Sequence, residues 1–213
     1  MVLKKRLQNT IEKATVTILK TGGRGVLING KLIITAAHCV TYKVSGEMAL
    51  GEYFIEEIET VQGKRLKVSP LAVEPVSDIA VLGSLDDQAL PTESDEFGKF
   101  CEKTKPTPVY IGEHELHQKF PIYVFNNNRT WSTGTAEQGF LDQPTLFIET
   151  KEPIEGGASG GPIVNDLGEL VGIVSHFSIP IGNEKCNGFA PRPHLALPVW
   201  LYHKIIGQNW KDV

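Results

Sequence analysis

Short apolar runs rich in β-branched residues, separated by turn-prone stretches, dominate the chain from residue 14 onward. The first run, ATVTIL over 14–19, is followed by TGGRG. The segment VLING-KLIITAA over 26–37 sets two apolar runs on either side of Asn29-Gly30, and these residues tolerate the positive φ of a tight hairpin turn. Further strands are expected over 53–61, 65–73, 79–83, 121–125, 145–150, 162–165 and 169–175, with Asp166-Leu167-Gly168 as the turn between the last two. Strands at this spacing, with no long helical period between them, predict antiparallel barrels or sandwiches rather than βαβ units. Helical spacing occurs only at the ends. Leu3, Leu7 and Ile11 fall on one face of a short N-terminal helix, and apolar residues at 201, 202, 205 and 206 follow Pro198 in a closing helix over about 198–207. The polar, proline-bearing stretch 86–108 lacks strand character. Its later part, 91–108, is read as the link between an N-terminal lobe (14–90) and a C-terminal lobe (109–197) of one domain spanning 1–213.

Composition narrows the possibilities without naming a function. The 213 residues, 41% hydrophobic and 22% charged, are enough for one cored domain and exclude wholesale disorder. A net charge of −4 leaves no basic surplus for nucleic acid or an anionic membrane as the main partner. No eighteen apolar residues run together, so no transmembrane helix is expected. The basic cluster Lys4, Lys5 and Arg6 is followed by Gln8, Asn9, Thr10 and Glu12, not by the apolar run of a secretory signal. Three cysteines (Cys39, Cys101 and Cys186) are too few for a disulfide scaffold, so a reducing, cytoplasmic setting is expected.

Three segments carry chemistry: Thr35-Ala36-Ala37-His38-Cys39, Ser77-Asp78-Ile79-Ala80-Val81-Leu82, and Gly156-Gly157-Ala158-Ser159-Gly160-Gly161-Pro162. Each alone has a structural reading, as a strand-end histidine, a turn aspartate and a glycine turn. Together they meet the needs of acyl transfer. A serine hydroxyl is a weak nucleophile, so a histidine of near-neutral pKa must take its proton. A carboxylate must fix the imidazole tautomer, and glycines beside the serine let backbone N–H groups face a developing oxyanion. The histidine and aspartate fall in the first lobe and the serine in the second.

These blocks, in this order and followed by GIVS, resemble the catalytic motifs of the chymotrypsin/trypsin-like serine protease family over roughly residues 14–206. The resemblance implies an all-β fold of two antiparallel six-stranded barrels, with a short N-terminal helix, a C-terminal helix and a cleft between the barrels. It makes His38 the general base and acid, Asp78 its orienting carboxylate and Ser159 the nucleophile. The N–H groups of Gly157 and Ser159 would form the oxyanion hole. Ser175 would support Asp78, and Pro153, Ile154, Ser175, His176 and Phe177 would border the substrate. No cofactor or metal is implied, and the partner is a protein or peptide substrate, with an activating partner or a further domain as an additional possibility.

Departures from the family pattern refine this expectation. Ala158 stands where members activated by cleavage carry Asp, and no IVGG-like start is present, so activation by a new N-terminus is not expected. The basic N-terminal segment and NGFAPRP (187–193) look more like the high-temperature-requirement branch, here without room for a PDZ domain after residue 206. Pro153 occupies the position at which trypsin-like members select Lys or Arg, so a small or medium apolar residue is the expected cleavage-site preference, with Phe177 narrowing the pocket. The alternative from another class is a silent or latent protease-fold module that binds peptides or awaits a partner. Two further ideas fail on the residues: His114 and His117 with Glu113 or Glu115 supply too few ligands of zinc-site type, and Cys39 adjoins His38 without oxyanion-type glycines.

Overall fold

The computed structural model describes residues 3–41, 55–112, 115–141, 143–154, 156–177 and 186–196. The expected closing helix over 198–207 and the start of the strand expected from residue 53 lie outside them, as do Glu113 and His114.

The first barrel is built from β1 (Thr15–Ile18), β2 (Arg24–Ile28), β3 (Leu32–Thr35), β4 (Glu56–Thr60), β5 (Arg65–Glu74) and β6 (Ile79–Gly83), closed in the order β1-β2-β3-β6-β5-β4. The β2–β3 hairpin turns at residues 29–31, with positive φ at Gly30 and Lys31. Every residue of β2, β3 and β6 is buried, and so these strands read as continuous apolar runs rather than alternating ones. Their inner face fills the barrel; Phe97, Phe100, Val164, Leu170 and Ile173 join the same cluster from outside it.

The second barrel comprises β7 (Lys119–Phe125), β8 (Trp131–Leu141), β9 (Gln143–Thr150), β10 (Pro162–Val164), β11 (Leu170–Ile173), β12 (His176–Phe177) and β13 (Cys186–Pro191), in the order β11-β10-β7-β8-β9-β13-β12. The two edge segments of this sheet, β11 and β12, are one run of chain interrupted only by Val174 and Ser175. Counted as a single bent strand they make six, and this run of chain joins the two ends of the sheet. The all-β, two-barrel architecture implied by the motifs is therefore the one observed.

Among the described residues, two helices of ten or more residues stand outside the sheets. Leu3, just ahead of α1 (Lys5–Ala14), and Ile11 within it are both buried in the first barrel's core cluster. The stretch read as a link contains α2 (Pro91–Lys103), with proline in its first turn and Phe97 and Phe100 buried. No helix among the described residues is long and apolar enough to cross a membrane.

Candidate active site

Antiparallel pairing of Thr35 with Ala80 sets the end of β3 beside the start of β6. The chain leaves β3 through a single 3-10 turn (Ala37–Cys39) and enters β6 directly from Asp78, so His38 and Asp78 meet although forty residues apart. His38 Nδ1 lies 2.8 Å from Asp78 Oδ2 and 3.0 Å from Oδ1, and the His38 backbone N–H donates to Oδ1 at 3.0 Å. An ionised carboxylate only accepts, so Nδ1 carries the proton that faces Asp78 and Nε2 is left out of this contact. Asp78 is mostly buried, with 12% of its side chain exposed, against 47% for His38. It adopts φ +54°, at the end of a turn shaped by Glu74, whose carboxylate accepts the N–H groups of Val76 (3.2 Å) and Ser77. Burial pushes the Glu74 carboxyl up, but the hydrogen bonds from Ser77 and Val76 outweigh it and hold the group below its ordinary value.

The bend between β11 and β12 contacts both halves of the site. Ser175 donates its hydroxyl to Asp78 Oδ2 at 2.5 Å, and the preceding residue pairs with the Ser159 loop. In that pairing Gly160 N–H donates to Val174 O (2.7 Å) and Val174 N–H to Gly161 O (2.9 Å). A third bond comes from the first barrel, where Arg24 N–H donates to Ser159 O at 2.7 Å. Gly160, at φ +77°, has no room for a side chain: a Cβ there would lie 2.0 Å from Arg24 O. Gly161 N–H closes the loop on Ala158 O at 2.8 Å. Ala158 itself is fully buried in the apolar core of the second barrel, where an aspartate would lose its hydration. Among the described residues, no hydrogen bond joins Ser159 Oγ to His38, and the N–H groups of Gly157 and Ser159 have no acceptor.

Residues expected to border the substrate separate into two groups. Ser175 and His176 line a cavity of about 250 Å³ together with Ser77, Asp78 and Phe189. His176 Nδ1 lies 2.8 Å from Ser175 Oγ, and its ring centroid is 6.1 Å from that of His38. A second cavity of about 600 Å³ shares His176 and Phe189 and continues over Phe147 on the outer face of the barrel. Pro153 is exposed, and half-buried Ile154 packs on the second core rather than lining either cavity. The side chain of Phe177 lies outside the described residues.

Cys39 is a buried free thiol, pushed up to about 11 by burial first and then by the charge of Asp78. Cys101 is free as well; the side chain of Cys186 lies outside the described residues. Nothing in the sequence reading singled out Arg24 or Asn127, yet both reach the serine loop. Arg24 Nη2 donates to Asn127 O at 2.8 Å, and Asn127 Nδ2 donates to Gly156 O at 3.4 Å. The available signal was a charged residue between two glycines at the head of an otherwise apolar strand.

The family description of the trypsin-like peptidase domain matches residues 23–173, well over half of the chain. The chain belongs to the trypsin-like peptidase domain family. The matched span contains His38, Asp78 and Ser159, and Ser175 follows just beyond it. The two-barrel fold of this trypsin-like domain is similar to that of Rv3671c from M. tuberculosis H37Rv, solved as an inactive form of a serine-to-alanine mutant. That likeness has a TM-score of 0.58 at 15% identity and covers 96% of this chain and 92% of that one. It is also similar to a serine endoprotease from Yersinia pestis, with a TM-score of 0.55 at 19% identity, covering 97% of this chain and 67% of that one. A curated relative, the uncharacterized protein y4bJ of Sinorhizobium fredii, is 30% identical over 114 residues, and the match covers 52% of this chain but only 16% of that protein.

Proposed function

We propose that the protein is a serine endopeptidase that cleaves protein or peptide substrates through His38, Asp78 and Ser159. The observation that carries this reading is the hydrogen-bond chain Ser175–Asp78–His38, which fixes the imidazole with Nε2 free. A serine loop bonded to both barrels, with two unengaged N–H groups beside the serine, supports it. In the proposed reaction, Ser159 Oγ attacks the scissile carbonyl carbon while His38 Nε2 takes its proton. The carbonyl oxygen becomes an oxyanion bound by the N–H groups of Gly157 and Ser159. Collapse breaks the C–N bond as His38 returns the proton to the leaving nitrogen, and an ester to Ser159 remains. Water, deprotonated by His38, then hydrolyses that ester and regenerates the hydroxyl.

The test is labelling with a fluorophosphonate, which phosphonylates an activated serine. Capture at Ser159 that is lost in Ser159→Ala and His38→Ala is expected; absence of capture in the natural protein under all conditions would overturn an active enzyme. One observation favours a gated version of the same reading. No hydrogen bond yet joins Ser159 to His38, so contact between nucleophile and base would be completed by substrate or by an activating partner. Labelling that requires an added peptide would identify this form.

A further inference from the structure

Arg24 is 6% exposed, and among the described residues no carboxylate pairs with its guanidinium. Burial, and secondarily the charge of Arg129, push its pKa down from the ordinary arginine value. A cation buried without a counter-ion costs stability and needs compensation. The compensation here is polar and aromatic: Nη2 donates to Asn127 O at 2.8 Å and to Asn127 Oδ1 at 3.3 Å, and Cζ sits 4.8 Å over the ring of Phe125. All these contacts lie in the second barrel, whereas Arg24 begins a strand of the first.

Asn127 passes this connection on to the serine loop. Its amide donates to Gly156 O at 3.4 Å, and its side chain occupies the space where a Cβ on Gly157 would sit, 2.6 Å from Nδ2. Gly156 C=O and Gly157 N–H belong to one planar trans peptide, in which the two bonds point in opposite directions. Holding the carbonyl on the Asn127 side therefore turns the Gly157 N–H to the other side. The next peptide of interest follows the same rule: Gly161 N–H holds Ala158 O at 2.8 Å, which directs the Ser159 N–H. Gly157, at φ +85°, is free of side-chain restraint, so without Asn127 this peptide would rotate readily.

We propose that Arg24 is a positioning residue that, through Asn127, locks the Gly156–Gly157 peptide in the orientation presenting its N–H to the oxyanion. The proposal rests on the peptidase reading and gives it a cross-barrel clamp at the loop where Ala158 can form no ion pair. The same residue grips the loop twice, through its backbone N–H on Ser159 O and through its guanidinium via Asn127. The clamp predicts an effect on transition-state stabilisation, with substrate binding spared.

The experiment compares the natural chain with Arg24→Met, Asn127→Ala and the double variant. Asn127 is exposed, so its substitution keeps the question open if Arg24→Met fails to fold. Peptide hydrolysis is expected to lose about 10- to 100-fold in kcat with KM within about twofold, the signature of a weakened oxyanion site. The double variant should lose no more than the worse single one, because both residues act through one contact. Millimolar guanidinium added to Arg24→Ala should restore part of the rate. Amide hydrogen exchange over residues 153–161 should quicken in each variant while β2 and β10 remain protected. Unchanged exchange and unchanged kcat would overturn the clamp, as would losses confined to KM and melting temperature. If the natural protein neither labels nor turns over, the peptidase reading falls, and exchange over 153–161 alone then decides whether the clamp exists.

Discussion

Asp78 Oδ2 receives two side-chain hydrogen bonds, one from His38 Nδ1 and one from Ser175 Oγ. Hydrogen bonds to a charged acceptor are stronger than neutral ones, and the one from Ser175 restrains the carboxylate that holds the His38 ring. Ser175→Ala is therefore expected to lower kcat by about tenfold, with the fold intact; steady-state kinetics alongside a melting curve checks this. The two free thiols among the described residues make a separate prediction at the alkaline end. Burial, aided at Cys39 by the charge of Asp78, moves Cys39 and Cys101 up to about 11 from an ordinary value of 9.0. Between those limits the unfolded chain releases thiol protons that the folded chain retains, so stability falls as pH rises through that window. Denaturant titrations from pH 8 to 11 should show a shallower decline in the Cys39→Ser/Cys101→Ser variant. An equal slope would mean that neither thiol is shielded.

Elements place these residues, and the turn after β5 is the most exacting of them. The Glu74 carboxylate caps two backbone N–H groups and so holds Asp78 at positive φ, which few residues other than glycine adopt without help. Glu74→Ala is expected to cost about 1 kcal/mol of stability and to lower the rate more than the binding of substrate. Because the folded Glu74 titrates below its ordinary 4.5, its contribution is present above that pH and is lost as pH falls below it. Chemical denaturation at pH 7 and pH 3.5 measures both. Strands covered on both faces, such as β2, β3 and β6, were legible as apolar runs, and the three chemical blocks were legible because glycine, histidine and aspartate stand out at strand ends. β8 was not: WSTGTAEQGFL alternates small and polar residues along a strand that is mostly half-buried. Helix α2 was read as a link because only Phe97 and Phe100 are buried within thirteen polar-rich residues, although Pro91 marked its start. β12 and β13 follow from tertiary pairing, and Arg24 escaped notice because its partner Asn127 lies 103 residues away.

At the scale of the whole molecule, the site exists only if two barrels keep a fixed relation, since His38 and Asp78 belong to one and Ser159 to the other. Several connections meet that need, among them the Arg24–Ser159 backbone bond, the Arg24–Asn127 bond, the Ser175–Asp78 bond and helix α1. The helix buries Ile11 against the first barrel, and its Glu12 accepts a hydrogen bond from Trp131 of the second at 3.1 Å. One turn earlier, Leu7 covers Gly168, where a Cβ would approach its Cδ2 to 3.2 Å. α1 thus acts as a strap across the two barrels. Its removal should uncouple them without dismantling either core. Ile11→Ala is expected to cost about 2–4 kcal/mol, as for other fully buried isoleucines, and to keep the single cooperative transition. Deleting residues 1–13 should instead split unfolding into two steps and reduce Ser159 labelling, even under conditions where circular dichroism still reports both barrels. Calorimetry that finds one transition and full labelling in the deletion variant would show that the contacts outside α1 hold the barrels together by themselves.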